Sequence, residues 1–230
     1  MEPVDEGTRQ AALSSALLRV FRGRLCESLT SGRPSAVFET DAVLYDVGDT
    51  SRVLFFLRRG AVRVGTITER GDEIIYDIRT GGDVVGELCA CEPARVDRAV
   101  ALEETEAVAV PYSEVLESVR RNPDLLQGLV EVFCAALSHA YEQVDRIAVD
   151  DTMHRLVKVL LELAAKLGRP AGRFVEIPTY LTQEEIAQML AARRERVSTA
   201  LNALRRRGIV RYSRRGHLHL DIDGLEKYPS

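Results

Sequence analysis

Nine arginines and a single acidic residue, Glu195, lie between positions 193 and 215 of a chain whose formal net charge is −4. Guanidinium groups form paired hydrogen bonds with phosphate oxygens and with the O6 and N7 atoms of guanine. A basic segment on an acidic protein therefore indicates a polyanionic partner, and double-stranded DNA fits this chemistry. The nine residues are Arg193, Arg194, Arg196, Arg205, Arg206, Arg207, Arg211, Arg214 and Arg215.

Glu195 is predicted to have a different role from the arginines around it. Phosphate repels a carboxylate, whereas the amino group of cytosine donates a hydrogen bond to one, so Glu195 is expected to point towards a base edge. Thr182 and the backbone N–H groups beside it suit a phosphate, as do Arg214 and Arg215. The predicted DNA contacts are Thr182, Gln183, Arg193, Arg194, Glu195, Ser198, Thr199, Arg214 and Arg215.

Two short helices and a pair of strands are predicted to position these residues. Thr182 and Glu185 have the spacing of a capping box, which marks a helix start, and Ala191-Ala192 is expected to form a tight corner. A second helix follows and stops at Gly208, so the order is that of a helix-turn-helix, whose second helix can enter the major groove. The segments GIVRYS and HLHLDI are predicted to be strands of a β-wing, joined by Arg214-Arg215-Gly216.

A long predicted helix with a heptad pattern precedes this segment. Asn122-Pro123-Asp124 marks its start, and apolar residues then recur at alternating intervals of four and three. A two-stranded coiled coil keeps such a 3.5-residue period, while a single surface helix drifts away from it. We therefore predict a homodimer seam, with packing of the helix on its own preceding domain as the alternative. The seam residues are Leu126, Val130, Phe133, Leu137, Ala140, Val144 and Ile147.

Residues 36–111 consist of short β-branched and aromatic runs that alternate with glycine-containing turns. This pattern predicts an antiparallel sandwich or barrel-like roll. A helix is predicted over residues 8–30. The predicted organisation is an N-terminal helical segment at 1–33, a β-roll sensor domain at 34–120, a dimerisation helix at 121–150 and a winged helix-turn-helix DNA-binding domain at 151–230.

Several motifs together resemble one protein family. LTQEEIAQML-AA-RRERVSTALNALRRRGIV is similar to the helix-turn-helix signature of the cyclic-AMP receptor protein and fumarate–nitrate regulator (CRP/FNR) family. RVLFFLRRGAVRV and GGDVVGEL resemble the β-roll of that family, and NPDLLQGL resembles the start of its dimerisation helix. The resemblance implies an α+β fold with a cyclic-nucleotide-binding-like roll of jelly-roll type. It also implies a homodimeric regulator on a palindromic operator, an effector sensed by the roll, and RNA polymerase as a further partner.

Within the second helix the resemblance carries over residue by residue. Arg194 and Glu195 match the base-reading pair of the family, and Ser198 stands where many members have Ser or Gly. Two positions depart from the family pattern. Arg193 replaces the usual Ser or Thr at the helix start, and Thr199 replaces the usual Arg that reads a guanine. The operator sequence is therefore left open.

The resemblance also places an effector pocket in the roll. Gly86, Glu87 and Leu88 match the turn that presents backbone N–H groups and a carboxylate to the ribose of cyclic AMP. Arg95 fits the phosphate-binding arginine better than Arg98 does, and Val96 replaces the following hydroxyl residue. Ala140 and Tyr141 take the positions that would meet the adenine. Because a lost phosphate-binding hydroxyl weakens binding by about 1–3 kcal/mol, ordinary cyclic-AMP control is not expected. A cyclic-nucleotide-dependent regulator with a modified cassette is the alternative.

Redox or metal sensing is another alternative, as is a regulator without an effector. Cys89 and Cys91 would face the same side of a strand, and Cys134 lies on the helix expected to pack nearby. The four-cysteine iron–sulfur pattern of the family is absent, because Cys26 is the only N-terminal cysteine. Buried free cysteines are commonly small hydrophobic residues, and the two helical histidines, His139 and His154, are predicted to be ordinary surface or packing residues. No metal site is therefore predicted, and an iron–sulfur cluster or haem is not expected.

Other function classes receive little support from the sequence. Hydrophobic residues make up 46% of the chain, but no apolar run is long enough to span a membrane, and the acidic N-terminus is not a signal sequence. We therefore expect a cytoplasmic protein without membrane contact. No nucleophile–base pair, zinc-protease motif or P-loop supports an enzyme. The remaining alternative is a ligand- or redox-sensing protein whose helical tail mediates only protein contacts.

Overall fold

The computed structural model describes residues 23–149, 151–214 and 216–228, with only the backbone course for residue 142 and residues 145–149. Its first helix, α1, occupies residues 23–30. Leu25 and Leu29 of α1 are fully buried among side chains of the β-domain. The rest of the helix predicted over residues 8–30 lies outside the described residues.

An eight-stranded β-roll follows. Its strands are β1 (Ala36–Phe38), β2 (Val43–Tyr45), β3 (Val53–Arg59), β4 (Ala61–Ile67), β5 (Glu73–Thr80), β6 (Val84–Val85), β7 (Arg98–Ala101) and β8 (Thr105–Pro111). They form two antiparallel sheets, with the orders β1-β8-β3-β6 and β2-β7-β4-β5. The predicted antiparallel roll is therefore confirmed.

Side chains on the two sides of β3 belong to different cores. Leu57 packs with apolar residues of the second sheet, while Leu54 and Phe56 pack against the helices that cover the roll. The tight turn after β3 requires glycine, because Gly60 has φ +87° and a Cβ there would lie 2.5 Å from Thr105 Oγ1. The turn brings β3 directly into β4 and so connects the two sheets.

Three helices connect the roll to the C-terminal domain: α2 (Tyr112–Arg121), α3 (Leu125–Val149) and α4 (Thr152–Leu167). The inner face of α3 buries Leu125, Leu129 and Val132 on the roll. Its opposite face remains exposed, with 51% of Leu137 and 62% of Val144 accessible. The helix thus packs on its own roll and still leaves a second apolar face uncovered in the single chain.

The C-terminal domain combines a four-stranded sheet with three short helices. Its elements are β9 (Arg169–Ala171), β10 (Phe174–Ile177), α5 (Gln183–Met189), α6 (Arg194–Arg206), β11 (Val210–Tyr212), β12 (Leu218–Leu220) and α7 (Ile222–Glu226). The sheet order is β11-β12-β10-β9. None of the described helices is long and apolar enough to cross a membrane. The α+β fold expected from the sequence, a roll followed by a winged helix-turn-helix, is confirmed.

Candidate nucleic-acid interface

The start of α5 is fixed by the predicted capping box. The Thr182 hydroxyl accepts a hydrogen bond from the Glu185 backbone N–H at 3.1 Å, and Glu185 Oε2 accepts one from the Thr182 N–H at 2.8 Å. The same carboxylate oxygen also lies 2.8 Å from the Thr182 hydroxyl. The capping box is confirmed, and the hydroxyl of Thr182 is already engaged inside the protein, so any phosphate contact by this side chain would compete with the cap.

A left-handed corner separates α5 from α6. Ala191 adopts φ +46°, a conformation that turns the chain sharply, and Arg193 is the N-cap residue of α6. Val197, Leu201 and Leu204 are completely buried, which anchors one face of α6 to the domain.

The opposite face of α6 points to solvent and carries the predicted base-reading residues. Arg193, Arg194, Glu195 and Thr199 are exposed, and Ser198 is half-buried. The structure therefore brings these five residues together on the accessible N-terminal half of one helix. Gln183 lies half-buried at the start of α5.

The predicted wing is present as the hairpin of β11 and β12. Its turn is closed by a hydrogen bond from the Ser213 N–H to the His217 carbonyl at 2.9 Å. Arg214 is exposed in this turn, while Arg215 lies outside the described residues. The wing thus carries Arg214 as an accessible cation beside the helix-turn-helix.

Aromatic residues around the basic block were not among the predicted contacts. Tyr180 is 61% exposed and lines a surface depression together with Gln183, Arg194 and Tyr212. A Cβ at Gly216 would lie 2.8 Å from the Tyr180 ring, so glycine in the wing leaves room for this tyrosine. Tyr212 lies between Arg211 and Arg214 in the sequence, whereas Tyr180 lies outside the basic block, so no local sequence signal identifies it.

Several arginines of the block stack on aromatic rings. The guanidinium carbon of Arg205 lies 5.3 Å from the centre of the Tyr212 ring, and that of Arg207 lies 4.9 Å from the centre of the Tyr228 ring. Arg211 stacks on Phe174 at 4.6 Å. Among the described residues no carboxylate forms an ion pair with these three arginines, so their positive charge is available to a polyanion.

In the roll, the Gly86-Glu87-Leu88 segment forms a turn rather than a strand. Gly86 adopts φ +88° and a short 3₁₀ helix runs over Glu87–Ala90. Arg52 donates hydrogen bonds to the carbonyls of Cys89 and Ala90, both at 2.9 Å, and holds the end of this helix. Leu88 is 40% exposed.

The expectation that Cys89 and Cys91 share one face of a strand is wrong. Cys89 is buried within the 3₁₀ helix and Cys91 is exposed just after it, because the left-handed Gly86 turns the chain out of strand geometry. Burial raises the pKa of Cys89, with a partial offset from the charges of Arg95 and Arg52. Cys134 is exposed on α3 and Cys26 is half-buried, and none of the four cysteines forms a disulfide among the described residues.

The geometry around Arg95 bears on phosphate binding. Arg95 is buried, donates to the carbonyls of Gly86 and Val53, and stacks over the Tyr45 ring at 4.0 Å. Val96 is exposed and supplies no hydroxyl. The nearby Asp97 accepts a hydrogen bond from the Tyr45 hydroxyl at 2.8 Å, and burial raises the pKa of this carboxyl against that bond. One N–H on each terminal nitrogen of Arg95 is used by a carbonyl, while its buried Nε has no hydrogen-bond partner among the described residues.

The other residues of the predicted effector pocket lie in two places, Glu87 in the turn of the roll and Ala140 and Tyr141 on α3. Glu87 is buried and pairs with Arg79 at 3.6 Å. Burial raises the pKa of Glu87, and the Arg79 charge offsets this only in part. Ala140 and Tyr141 lie on the exposed face of α3, where 63% of Tyr141 is accessible.

His139 and His154 each have a ring nitrogen near a carboxylate, with His154 Nδ1 at 3.1 Å from Asp151. His139 Nε2 lies 2.7 Å from Glu162 and 3.5 Å from Asp77. The His154 N–H donates to Asp151 at 2.9 Å at the start of α4. The grouping of Asp77, His139 and Glu162 was not predicted from the sequence, which gives no local signal for a contact between such distant positions.

Comparison with known proteins identifies the family. The model of the Crp-like helix-turn-helix domain matches residues 154–228, and that of the cyclic nucleotide-binding domain matches residues 36–122. A CRP-like cAMP-activated global transcriptional regulator of Mycobacterium tuberculosis is 27% identical over 201 residues, which cover 87% of this chain and 90% of the relative. The chain belongs to the CRP/FNR family of transcription regulators.

Two further relatives show how broad this CRP/FNR similarity is. A global nitrogen regulator of Nostoc sp. is 27% identical over 200 residues, which cover 85% of this chain and 88% of the relative. The structure of FixK2 from Bradyrhizobium japonicum has the same fold, with a TM-score of 0.75 at 21% identity over 86% of this chain and 98% of that chain.

Membership in the CRP/FNR family assigns the chain a helix-turn-helix DNA-binding domain and a role in transcription regulation. Family members are transcription regulators rather than enzymes. The names of the two curated relatives refer to different signals, cyclic AMP and nitrogen, so membership alone does not identify the effector.

Proposed function

We propose that this chain is a homodimeric regulator that reads a palindromic DNA site with the N-terminal half of α6. The observation that carries the proposal is the solvent-facing group of Arg193, Arg194 and Glu195 on a helix whose other face is fully buried. An anchored helix of this kind can enter the major groove with those side chains directed at base edges.

The proposed base contacts follow from side-chain chemistry. Arg194 can form a bidentate pair with guanine, and Glu195 can accept a hydrogen bond from cytosine. Arg214 and the exposed Arg193 would hold backbone phosphates and fix the register of the helix. Gln183 and Tyr180, beside Arg194, are additional phosphate contacts in this proposal.

Dimerisation is proposed to occur along the exposed face of α3. Leu126, Val130 and Leu137 are each about half exposed in the single chain, and Val144 is more so. A seven-residue repeat of such side chains is buried when two helices pair in parallel. The side chain of Ile147, the last predicted seam residue, lies outside the described residues. RNA polymerase remains a proposed partner of the DNA-bound dimer.

Duplex-DNA binding at two salt concentrations tests this function. Operators would first be selected from random DNA, and affinity would then be measured at 50 and 200 mM salt. A reader that neutralises 6–10 phosphates loses about 10³–10⁵-fold in affinity over this range. Salt-independent or absent binding to every selected duplex would instead support a sensing protein whose helical tail contacts only other proteins.

The effector is proposed to be something other than cyclic AMP. The absence of a hydroxyl at Val96 supports this part of the proposal, because a bound phosphate would lack the hydrogen bond that such a hydroxyl supplies. The intact Gly86-Glu87-Leu88 turn and the cAMP-activated relative favour a second candidate, a nucleotide-controlled regulator with a modified cassette.

Calorimetric titration of the protein with cyclic AMP separates the two candidates. We expect no heat of binding up to millimolar ligand. Micromolar binding that is lost in Arg95→Leu would establish the cyclic-nucleotide candidate.

A further inference from the structure

A group of buried charges lies where the roll, α3 and α4 meet. Asp77 of β5 is only 8% exposed. Its Oδ2 lies 2.6 Å from Arg79 Nε, and its Oδ1 is paired with the ammonium of Lys166 on α4. The same Oδ1 lies 3.5 Å from His139 Nε2 on α3. One carboxylate therefore contacts charged or polar groups from both helices.

The contacts continue on either side of Asp77. Lys166 Nζ lies 2.9 Å from Glu162 Oε1 on the same helix, and Glu162 also binds His139. On the other side Arg79 lies 3.6 Å from Glu87, in the turn of the predicted effector pocket. An unbroken series of ionic contacts therefore leads from that pocket to α4. We refer to these six residues, Glu87, Arg79, Asp77, Lys166, His139 and Glu162, as the junction network.

The pKa values of two members of the junction network, Glu162 and Lys166, are shifted in the direction expected for paired charges. Burial opposes the ionisation of Glu162, but the hydrogen bond from His139 and the charge of Lys166 outweigh it, so the pKa of Glu162 lies below its usual value. Burial likewise opposes the charge on Lys166, and Asp77 and Glu162 outweigh it, so the pKa of Lys166 is raised. Both shifts favour the charged forms of Glu162 and Lys166.

The ionic contacts of the junction network restrict how α4 can move against the roll and α3. Apolar side chains can slide past one another and remain in contact, whereas a charged side chain that is removed from water and loses its partner is strongly disfavoured. The helix α4 shares its core with the recognition helix, since Leu156 and Leu160 pack in one cluster with Leu201 and Leu204. Fixing α4 against α3 thus fixes the DNA-binding domain against the helix that carries the exposed apolar face.

We propose that Asp77 and Lys166 are positioning residues, whose partly buried ion pair sets the separation of the two recognition helices in the dimer. This proposal rests on the proposed function, because the separation matters only for a dimer on two half-sites. Half-sites one turn apart lie about 34 Å from each other, and each added base pair moves them by about 3.4 Å and rotates them. If the two DNA-binding domains of the dimer are held rigidly, the affinity for DNA should fall sharply when the half-site spacing changes. If they are held loosely, the affinity should depend less on the spacing.

The test compares Asp77→Asn and Lys166→Gln with the wild type on three kinds of DNA: the palindrome, palindromes lengthened or shortened by one base pair, and a single half-site. We expect each variant to lose about 3- to 30-fold in affinity for the palindrome, the range typical of coupling between distant sites. Half-site affinity should be unchanged, and the preference for the native spacing should be flattened. Lys166→Arg keeps the charge and should restore the spacing preference.

Glu117→Gln is the matched control, because it removes an exposed ion pair on α2 with Arg121 and should behave as the wild type.

Hydrogen exchange of the DNA-free dimer gives a second readout. Protection of α4 and β5 should fall in Asp77→Asn and Lys166→Gln but not in Lys166→Arg. Unchanged protection, an unchanged spacing profile, or equal losses on half-site and palindrome would each overturn the positioning role. Failure of the wild type to bind any duplex would refute the proposed function. The hydrogen-exchange data would then still show whether the Asp77–Lys166 pair holds α4 against the roll.

Discussion

At the scale of single residues, the role of a side chain on α6 depends on the bonds that it already makes. The Thr199 hydroxyl donates to the Glu195 carbonyl at 2.8 Å, so its proton is used within the helix. Thr199 can therefore only accept a hydrogen bond from DNA or contact a thymine methyl group. We therefore expect Arg194 and Glu195 to make the main contacts with the bases, since their side chains have no ion-pair partner among the described residues.

Replacing Glu195 with Ala should relax base preference without a large loss of non-specific affinity. A good base contact provides about 1–3 kcal/mol of discrimination, so the ratio of affinities for the selected operator and a single-base variant should fall by about 5- to 150-fold. Competition binding against a set of single-base variants measures this ratio. An equal loss on all sequences would remove Glu195 from the base-reading residues.

Replacing Glu87 with Gln should change stability in a pH-dependent way. Because burial raises the folded-state pKa of Glu87 above its unfolded value, its contribution to stability is present below the unfolded pKa, near 4.3, and is lost as pH rises through the folded pKa. The amide cannot ionise, so Glu87→Gln should gain in melting temperature relative to the wild type between pH 4.5 and pH 8. Glu92→Gln, at an exposed residue of the same loop, is the control, and a pH-independent difference would contradict the assignment.

At the scale of elements, the sequence signals that succeeded are local ones. The capping box at Thr182 and the long helix α3 each arise within a few turns of chain, so spacing alone predicts them, whereas the dimer seam on α3 stays a prediction. The Gly86-Glu87-Leu88 turn was expected, but the 3₁₀ helix that carries Cys89 was missed, because its end is held by Arg52, which binds carbonyls 37 and 38 residues away. The junction network was missed for the same reason, since Asp77 and Lys166 are 89 positions apart and only tertiary packing brings them together.

The exposed face of α3 gives a sharper dimer test than the sequence alone offered. Phe133 packs partly against the roll core, so a charge there would disturb the fold as well as a seam. Leu137 is half exposed, and Leu137→Glu should leave the monomer folded while two facing carboxylates separate the dimer. Sedimentation should show a shift to monomer and a loss of palindrome binding. Ser138→Glu, on the adjacent exposed position, should remain dimeric; a dimeric Leu137→Glu that binds normally would place the seam elsewhere.

At the scale of the whole molecule, the roll and the C-terminal domain are not independent units. Ile75 and Ile78 of the roll belong to the same buried cluster as the cores of α4 and α5. Two polar contacts accompany this cluster: Arg63 binds Glu185 of the capping box at 2.8 Å, and Thr179 donates to Glu103 at 3.1 Å. The two domains therefore bury apolar surface against each other within one chain, and this shared core should make them unfold together.

Replacing Ile75 with Ala should uncouple the domains. Removing a large buried aliphatic side chain costs about 2–5 kcal/mol, and at this position the loss falls on the contact between domains. Scanning calorimetry at fixed protein concentration should show one transition for the wild type, with equal calorimetric and van't Hoff enthalpies. Ile75→Ala should split it into two. Leu57→Ala, within the roll core alone, should lower the single transition without splitting it, because a coupled C-terminal domain melts with the roll. If both variants instead lower the temperature of a single transition by the same amount, Ile75 stabilises only the roll. The coupling between the roll and the C-terminal domain would then come from the ionic contacts between them.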